Sequence, residues 1–432
     1  MKNLVQNLSL FYFKILAFLQ LKKGYGEIIG ITGSAGKTSC RMAISTLLSS
    51  KYKVFSTEGG LNSEWGVPLA ILKQQSGYSS PTLWLKAFFG SLLTLLFDWQ
   101  KYDKYVLELG VDKPNDMRYL LSFIKPKVGV VLNVLPVHTE QFVSLGGDLV
   151  ERIAEEKGKL VAALPPEGTA VLNYDDPLVH QMSGKCRAKI FSFGLNSQSD
   201  LWAENVEVGE FGFRMLVHSQ NRTYSFETAQ WLNRDYAHTI LAALAVGVTE
   251  GVALETGVEI LSQKLELPPG RMGRFSGIKG SVIIDSSYNA SREPTLAALD
   301  FLASFTDRRK IAALGDMREL GPLSKDEHGA VATKAVQVAD EIVAVGPQTR
   351  DYFVPKALAL GFPADKIHSF LNSQEAGEFI RDTIIQGKEA ILVKGSQNTI
   401  FMERVVESLL AKPEEDRLKL CRRGEYWDKL RA

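Results

Sequence analysis

A glycine-rich segment near the N-terminus constrains the fold of this chain more than any other feature. Residues 27–48 read "EIIGITGSAGKTSCRMAISTLL": an apolar run, small residues and glycines, Lys-Thr, and then a helix-forming stretch. This order predicts a short buried strand, a tight loop and a helix. Glycines let backbone N–H groups turn toward phosphate oxygens, and a helix N-terminus adds positive potential. The segment therefore predicts a phosphate-binding loop.

The loop departs from the strict GxxxxGK[ST] pattern and fits the variant T-G-S-x-G-K-T. In such a loop Lys37 would bridge the β- and γ-phosphates of a nucleotide, and the Thr38 hydroxyl would ligate Mg²⁺. The alternative interpretation is an ordinary glycine turn between a strand and a helix. The predicted ATP-binding residues of the loop are Thr32, Gly33, Ser34, Ala35, Gly36, Lys37, Thr38 and Ser39.

Strand-like and helix-like segments alternate along most of the chain, which predicts a mostly parallel α/β fold. Apolar runs at 104–110, 128–134 and 169–176 follow the glycine loop, and a second α/β series begins near residue 280. We expect a P-loop-type ATPase domain with a mostly parallel sheet, then a smaller Rossmann-like domain. Residues 200–230 alternate in polarity and predict an antiparallel edge. The expected divisions are an apolar helix (1–25), an ATP-binding domain (26–272), a Rossmann-like domain (273–410) and a solvated, charged helix or tail (411–432).

Composition narrows the choice of partners. The formal net charge is only +1 over 432 residues, so no overall basic field points to nucleic acid. The three cysteines, Cys40, Cys186 and Cys421, are widely spaced, so neither a disulfide framework nor a zinc site is expected. This cysteine usage fits the cytoplasm.

Two apolar stretches raise the question of a membrane. Residues 4–21 and 83–97 are each interrupted by lysine and fall short of a clean spanning helix. A packed helix is one interpretation of residues 4–21. The other is a helix that lies on the inner membrane surface, which would be a peripheral membrane contact.

The variant loop resembles that of the Mur ligases, ATP-dependent enzymes that join a carboxylate to an amine, and further segments resemble family motifs in order. The later segments resemble most the type that adds D-alanyl-D-alanine, and the similarity extends over about residues 26–408. The motifs are "LNSEWGVPLAIL" (61–72), "LELG" (107–110), "VLNVLPVHTEQF" (131–142), "IAEEKGKL" (153–160), "TAVLNYDDP" (169–177), "PGRMGRF" (269–275), "VIIDSSYNASREPTLAALDFL" (282–302), "ALGDMRELGPLSKDEH" (313–328) and "ILVKGSQNTIFMERVV" (391–406).

The resemblance implies roles for particular residues. Glu108 and His138 would join Thr38 in holding Mg²⁺, with two ions in the complete site. Lys157 would be carbamylated by CO₂, which turns a cation into an anion, and Lys37, His138 and Lys157 would form the catalytic set. Judged by its sequence neighbours alone, Lys157 is a lysine on a helix surface. It follows His138 by 19 residues, a longer gap than this type of Mur ligase usually has.

Other positions would contact the nucleotide or the substrates. Asn173, in a turn whose side chains also read as a strand-to-turn cap, would lie near ATP. Arg274 would reach the phosphates and Asp285 the ribose. Asn62, Lys394 and Ser396 would bind substrate.

The sequence departs from the family pattern in two places. Asp235 and Tyr236 replace the usual His-Asn pair, so we expect adenine to be held differently, by stacking on Tyr236. Only residues 1–25 precede the loop, where peptidoglycan Mur ligases usually carry a UDP-binding domain. The carboxylate carrier is therefore left open between a UDP-sugar, a lipid and a free metabolite.

These features predict an ATP-dependent carboxylate–amine ligase that works through an acyl phosphate, as a monomer, in peptidoglycan precursor synthesis. It would add D-alanyl-D-alanine or a related amino component. Two alternatives remain: a ligase like the folylpolyglutamate synthases, and a non-catalytic nucleotide-binding partner in a cell-envelope complex. A GTPase switch is disfavoured because the sequence has no plausible guanine-reading NKxD motif.

Overall fold

The computed structural model describes residues 2–57, 61–78, 80–396 and 399–431. Strands and helices alternate as the apolar patterning predicted. The strands are β1 Glu27–Thr32, β2 Val54–Ser56, β3 Lys104–Glu108, β4 Val128–Val131, β5 Thr169–Asn173, β6 Lys189–Gly194, β7 Leu201–Gly209, β8 Gly212–Ser219, β9 Arg222–Thr228, β10 Gly273–Ser276, β11 Val282–Ser286, β12 Lys310–Gly315, β13 Glu341–Val345, β14 Ile367–Phe370 and β15 Ala390–Lys394.

The helices cover the segments between these strands and both ends of the described chain. Short 3₁₀ and π turns extend several of them, including a 3₁₀ helix over Thr139–Leu145. The α-helices are α1 Lys2–Gly24, α2 Lys37–Leu48, α3 Gly66–Ile71, α4 Pro81–Phe97, α5 Asp116–Leu121, α6 Leu149–Ala162, α7 Pro177–Gln181, α8 Tyr236–Thr249, α9 Leu254–Lys264, α10 Arg292–Ala303, α11 Ser324–Val338, α12 Val354–Ala359, α13 Ser373–Phe379, α14 Glu403–Leu409, α15 Pro413–Asp416 and α16 Glu425–Arg431.

The chain divides into two compact units. The first consists of Met1–Asn205, Met215–Phe226 and Ala237–Glu266, and the second of Val206–Arg214, Glu227–Tyr236 and Leu267–Ala432. Each unit has its own apolar core beneath its own helices.

The first sheet has the strand order β2-β3-β1-β4-β5-β6-β7-β8-β9 within the described residues. Strands β2 to β7 pair in parallel. Register places Ile31 opposite Glu108 and Thr32 opposite Val131. The carboxyl ends of β1, β3 and β4 therefore meet at one edge, where open α/β sheets bind ligands. The turns between β7, β8 and β9 are too short for parallel crossovers, which confirms the predicted antiparallel edge.

The second sheet has the order β10-β11-β15-β12-β13-β14. Strand β10 pairs antiparallel with β11. The remaining pairs, from β11 through β15, β12 and β13 to β14, are parallel, as the predicted Rossmann-like domain requires. Residues of these strands pack against α10, α13 and α14. Strands β11, β12 and β15 end at Ser286, Gly315 and Lys394. Two polar side chains, those of Ser286 and Lys394, therefore lie at this carboxyl edge.

The N-terminal apolar helix is packed along one side. In α1, Phe13 is fully buried and contacts Trp65 and Trp84 edge-on or tilted, with ring centroids 6.3 and 6.1 Å away. α1 contacts both α3 and α4. Among the described residues, no helix combines the length and apolarity that crossing a membrane requires.

The C-terminal segment is not the solvated tail that its charge suggested. Leu420, Cys421 and Arg422 are buried in the second unit. The Arg422 guanidinium donates to both carboxylate oxygens of Glu403, at 2.9 and 2.6 Å, and to the carbonyl oxygens of Ser287 and Tyr288. An arginine with this many acceptors fastens the C-terminal segment to the loop that follows β11.

We expect Arg422→Ala to lower the free energy of unfolding by about 3–5 kcal/mol, because it leaves the buried Glu403 carboxylate without its counter-charge. Urea unfolding of the full chain measures this loss. Arg417→Ala is the matched control: Arg417 pairs with Glu407 on the surface, and its removal should cost less than about 1 kcal/mol. Equal losses in the two variants would contradict this interpretation of the buried pair.

Candidate active site

The glycine loop between β1 and α2 has the backbone that its sequence predicted. Gly36 adopts φ 82°, a left-handed conformation that favours glycine. A Cβ at this position would come within 3.3 Å of the Thr239 hydroxyl. Gly36 is the N-cap residue of α2 and has no side chain with which to cap it, so the positive N-terminal end of the helix faces the loop.

Two N–H groups of the loop point at the same side-chain oxygen, and the Ser34 N–H also donates to the Asn133 carbonyl oxygen at 3.1 Å. The N–H groups of Ser34 and Ala35 donate to Oδ1 of Asn133, at 2.9 and 2.8 Å. Two successive amides aimed at one acceptor form the concave arrangement that binds anions. Asn133 was not among the predicted site residues, although its position just after β4 was a usable signal.

Lys37 folds back over this loop. Its Nζ donates to the carbonyl oxygen of Gly33 at 2.6 Å and to that of Ser34 at 3.3 Å. The ammonium group therefore lies beside the same loop whose amides converge. Thr32, the last residue of β1, is buried, and its hydroxyl has no hydrogen-bond partner among the described residues.

Glu108 connects the end of β3 to α2. Its Oε2 accepts from the Thr38 hydroxyl at 3.2 Å, and its Oε1 accepts from Nε of Arg41 at 2.8 Å. Both the carboxylate and the guanidinium are buried. Sequence reasoning found Thr38 and Glu108 but missed Arg41. Its spacing of one turn from Thr38 on α2 would have placed it on the same helix face.

Lys157 lies inside the protein, so its interpretation as a helix-surface lysine is wrong. The side chain, on α6, is only 1% exposed. Burial, and then the nearby positive charge of Lys37, lower the pKa of Lys157 to about 7. The negative charges of Asp112 and Asp116 act in the opposite direction and raise the pKa of Lys157. The Lys157 amine is therefore neutral far more often near pH 7 than the amine of an ordinary lysine.

His138 stands next to the same group of charges. It adopts a left-handed backbone conformation, φ 56°, where the Thr139–Leu145 helix begins. Its Nε2 lies 3.4 Å from Oδ1 of Asp112. Asp112 and Asp116 were absent from the predicted set, although both follow the "LELG" strand end closely.

Asn62 lies beside the end of β3. Its carbonyl oxygen accepts from the N–H of Gly110 at 2.8 Å, and a Cβ on Gly110 would clash with it. The backbone of Asn62 is thus held against Gly110, which follows Glu108 by two residues.

The Asn173–Asp176 turn has the cap structure that its residues suggested. Asn173 donates to the carbonyl oxygen of Leu132 and accepts from the N–H of Asp175, while Asp176 caps α7. Asp175 also pairs with His238 at 2.7 Å. Burial by itself would raise the pKa of Asp175, but the hydrogen bond with His238 and backbone N–H donors hold it below its usual value.

In the second unit, Asp285 is fully buried near the end of β11. Oδ1 accepts from the N–H of Ser287 at 3.0 Å, and no donor among the described residues reaches Oδ2. Burial raises the pKa of this carboxyl group. Arg274 lies on the neighbouring strand, exposed, with its guanidinium over the Trp231 ring at 4.6 Å.

Lys394 and Ser396 hold the loop after β11 against the end of β15. Nζ of Lys394 donates to the Ser286 hydroxyl and to the Asn289 carbonyl oxygen, at 3.1 and 3.0 Å. The Ser396 hydroxyl donates to the carbonyl oxygen of Ala290. Burial, then Arg271, lowers the pKa of Lys394 to about 8.

The predicted residues thus form two groups, one in each unit. The first unit gathers the glycine loop, Glu108, His138 and Lys157 at one sheet edge, with Asn62 and Asn173 on neighbouring segments. The second unit brings Asp285, Lys394 and Ser396 to adjoining strand ends and leaves Arg274 on β10. Tyr236, which we expected to stack on adenine, is mostly buried, with its hydroxyl 3.4 Å from the Arg271 carbonyl oxygen.

Comparisons with known proteins agree with this geometry. The model of the Mur ligase middle domain matches residues 31–247, and that of the Mur ligase glutamate ligase domain matches residues 270–397. Over 388 residues the chain is 29% identical to the UDP-N-acetylmuramoyl-tripeptide–D-alanyl-D-alanine ligase of Escherichia coli, covering 89% of this chain and 76% of the relative.

Solved structures show the same architecture. MurF from Thermotoga maritima, in complex with ADP, superposes with a TM-score of 0.75 at 25% identity, covering 94% of this chain and 84% of the other. Folylpolyglutamate synthase from Mycobacterium tuberculosis shares the fold at a TM-score of 0.62 and 19% identity, with 90% and 92% covered. The middle-domain match alone spans half of the sequence, and the chain belongs to the Mur ligase family.

Proposed function

We propose that this chain is an ATP-dependent amide ligase that adds D-alanyl-D-alanine, or a related amino component, to a peptide carboxylate in peptidoglycan precursor synthesis. The observation that carries the proposal is the convergence of two loop N–H groups on one oxygen, with Lys37 beside them. The similarity to UDP-N-acetylmuramoyl-tripeptide–D-alanyl-D-alanine ligases over most of the chain supports the choice of substrates.

In the proposed reaction the glycine loop binds the β- and γ-phosphates of ATP. A substrate carboxylate oxygen attacks the γ-phosphorus, ADP leaves, and an acyl phosphate forms. The amine nitrogen then attacks the acyl carbon, the bond from carbon to the phosphate oxygen breaks, and the nitrogen loses a proton. Such transfers need alignment and charge neutralisation, which Lys37 and the N-terminus of α2 would supply.

The donor set around Thr38 fits Mg²⁺, because its hydroxyl and the Glu108 carboxylate are oxygen ligands. His138 offers nitrogen, which Mg²⁺ accepts less readily, but Asp112 stands next to it with a carboxylate. Among the described residues, no group of three or more acidic, His or Cys side chains is arranged around a metal position. Phosphate oxygens would therefore complete the coordination of each of the two expected ions, and Mg²⁺ would neutralise phosphate charge.

The second unit would complete nucleotide and substrate binding. The unpartnered Oδ2 of the buried Asp285 is suited to accept from ribose hydroxyls, and the exposed Arg274 is suited to phosphate. Asn173 would contact the nucleotide near the loop. Asn62, Lys394 and Ser396 would position substrate, the last two mainly through the loop they hold.

Several finer assignments go with this function. The divisions at residues 25, 272 and 410, the monomeric state and the cytoplasmic location are part of the proposal. A peripheral membrane contact through residues 4–21 is part of it as well. The UDP-linked tripeptide is the proposed carboxylate substrate, because relatives that are 27–29% identical to this chain are named for it.

An acceptor screen tests the function directly. Purified protein with ATP and Mg²⁺ should release phosphate with UDP-linked muramyl tripeptide plus D-alanyl-D-alanine, and the product mass should equal the two substrates less one water. Turnover only with dihydrofolate plus glutamate would favour the alternative that resembles folylpolyglutamate synthase. A lack of turnover with every carboxylate–amine pair would favour the non-catalytic partner.

We expect Lys37→Ala to reduce ATP-dependent amide formation at least roughly 100-fold, because the variant loses the cation beside the transferred phosphoryl group. The rate of phosphate release under saturating substrates measures this. Lys125→Ala is the matched control and should keep its rate, because Lys125 is an exposed lysine that donates to the carbonyl oxygen of Leu121 in its own turn. Full turnover by the Lys37 variant would refute its role.

We expect Lys157 to form a carbamate. Its neutral amine adds to the carbon of CO₂ and releases one proton, so the modified fraction should rise with pH through about 7. Carbon-13 NMR of the full chain with labelled bicarbonate should show a carbamate resonance that Lys157→Met removes. Lys185→Ala, an exposed lysine, should leave it unchanged. A resonance that persists in the Lys157 variant would place the modification elsewhere.

A further inference from the structure

Helix α4 exposes almost its whole apolar surface. Of its 17 residues only Ala87 and Ser91 are buried. Six of the exposed apolar residues fall on one broad face of the helix and are each between 40% and 64% accessible: Leu85, Phe88, Phe89, Leu92, Leu93 and Leu96. Single exposed apolar side chains are ordinary, but a contiguous face of this kind marks a surface that something covers.

α1 adds a second apolar stripe next to this face. Leu8, Phe11, Ile15 and Leu19 are exposed at helical spacing, on the side of α1 away from Phe13. The two helices are joined where the Tyr12 ring stacks on Phe88 at 4.0 Å and its hydroxyl donates to the Phe88 carbonyl oxygen. We call the exposed apolar residues of α4 together with this stripe the α1–α4 surface.

The charged side chains within α1 and α4 themselves are all lysines. Residues 1–26 and 66–97 contain six lysines and no aspartate or glutamate, while Asp98, directly after α4, pairs with one of them, Lys73, at 2.7 Å. Lys22 and Lys86 are exposed on α1 and α4. The chain as a whole is nearly neutral, so this cationic character is local.

Aromatic residues stand at the ends of the two helices. Trp99 follows α4 and is mostly exposed, with Nζ of Lys23 over its ring at 3.9 Å, and Tyr25 follows α1 and is also exposed. Trp and Tyr are enriched where hydrocarbon meets lipid headgroups, and lysines beside them attract anionic lipid.

We propose that the α1–α4 surface docks on the surface of an anionic phospholipid bilayer, with α4 lying in the headgroup region. At 1.5 Å per residue α4 is about 26 Å long, short of the hydrocarbon core of about 30 Å, and Lys86 interrupts it. It therefore lies on the bilayer and does not span it. The proposal moves the main contact from residues 4–21, where the sequence placed it, to α4.

Vesicle flotation of the full chain tests this, without ATP or substrate, so that its outcome is independent of the ligase reaction. The protein should float with vesicles of phosphatidylglycerol and phosphatidylcholine, and much less with phosphatidylcholine alone. Added salt should weaken binding because it screens the lysines. Vesicles that carry brominated lipid should quench Trp fluorescence, and Trp99→Phe should lose part of that quenching.

Substitutions on the α1–α4 surface sharpen the test. We expect the double variant Phe89→Ser and Leu93→Ser to lose roughly tenfold or more in vesicle affinity, since less apolar area enters the headgroup region. Lys22→Gln with Lys86→Gln should weaken binding to anionic vesicles severalfold. Phe211→Ser is the matched control, because Phe211 is 98% exposed on the β7–β8 turn, away from these helices in the sequence. Urea unfolding checks that each variant is folded.

Two kinds of result would overturn the proposal. One is the absence of flotation with anionic vesicles, or binding that the Phe89 and Leu93 substitutions leave unchanged. The other is self-association without lipid in sedimentation experiments that the same substitutions abolish while vesicles bind nothing; that result would assign the surface to a second copy of the chain.

Discussion

The Glu108 carboxylate is the interaction on which the arrangement of the candidate site depends. It accepts from Thr38 and Arg41 of α2 at the end of β3, so that the helix after the glycine loop is fastened to the neighbouring strand. With both partners buried, this pair is costly to break, and it holds the start of α2 in one position. Next to this anchor, the loop amides of Ser34 and Ala35 donate to the side-chain oxygen Oδ1 of Asn133 at 2.9 and 2.8 Å.

Charge around this anchor is unevenly distributed. The positive charge of Lys37 disfavours that of Lys157, and Lys157 is the more deeply buried of the two. Burial and this charge together lower the pKa of Lys157. In the proposed function the two lysines have separate tasks: Lys37 would neutralise phosphate beside the loop, and Lys157 would supply the amine that becomes the carbamate.

In the second unit, hydrogen bonds from three side chains hold the loop that follows β11. Arg422, Lys394 and Ser396 each bond to backbone carbonyl oxygens of residues 287–290, directly after the buried Asp285. A loop held at this many points keeps its conformation without ligand. Much of that support comes from a C-terminal segment whose composition suggested a solvated tail.

The sequence alone determined the alternation of strands and helices, the glycine loop, and the polar residues at strand ends, because apolar periodicity and backbone freedom are local properties. It also supplied most of the candidate site, since Lys37, Thr38 and Glu108 stand at recognisable positions in motifs. Only the tertiary structure decided that Lys157 is buried, that Arg41 and Asn133 complete the loop, and that Arg422 leaves solvent. It also decided which apolar side chains of α4 remain exposed. Burial and charge pairing depend on segments far apart in the chain, and their effect on a pKa or an exposed face exists only after those segments have packed together.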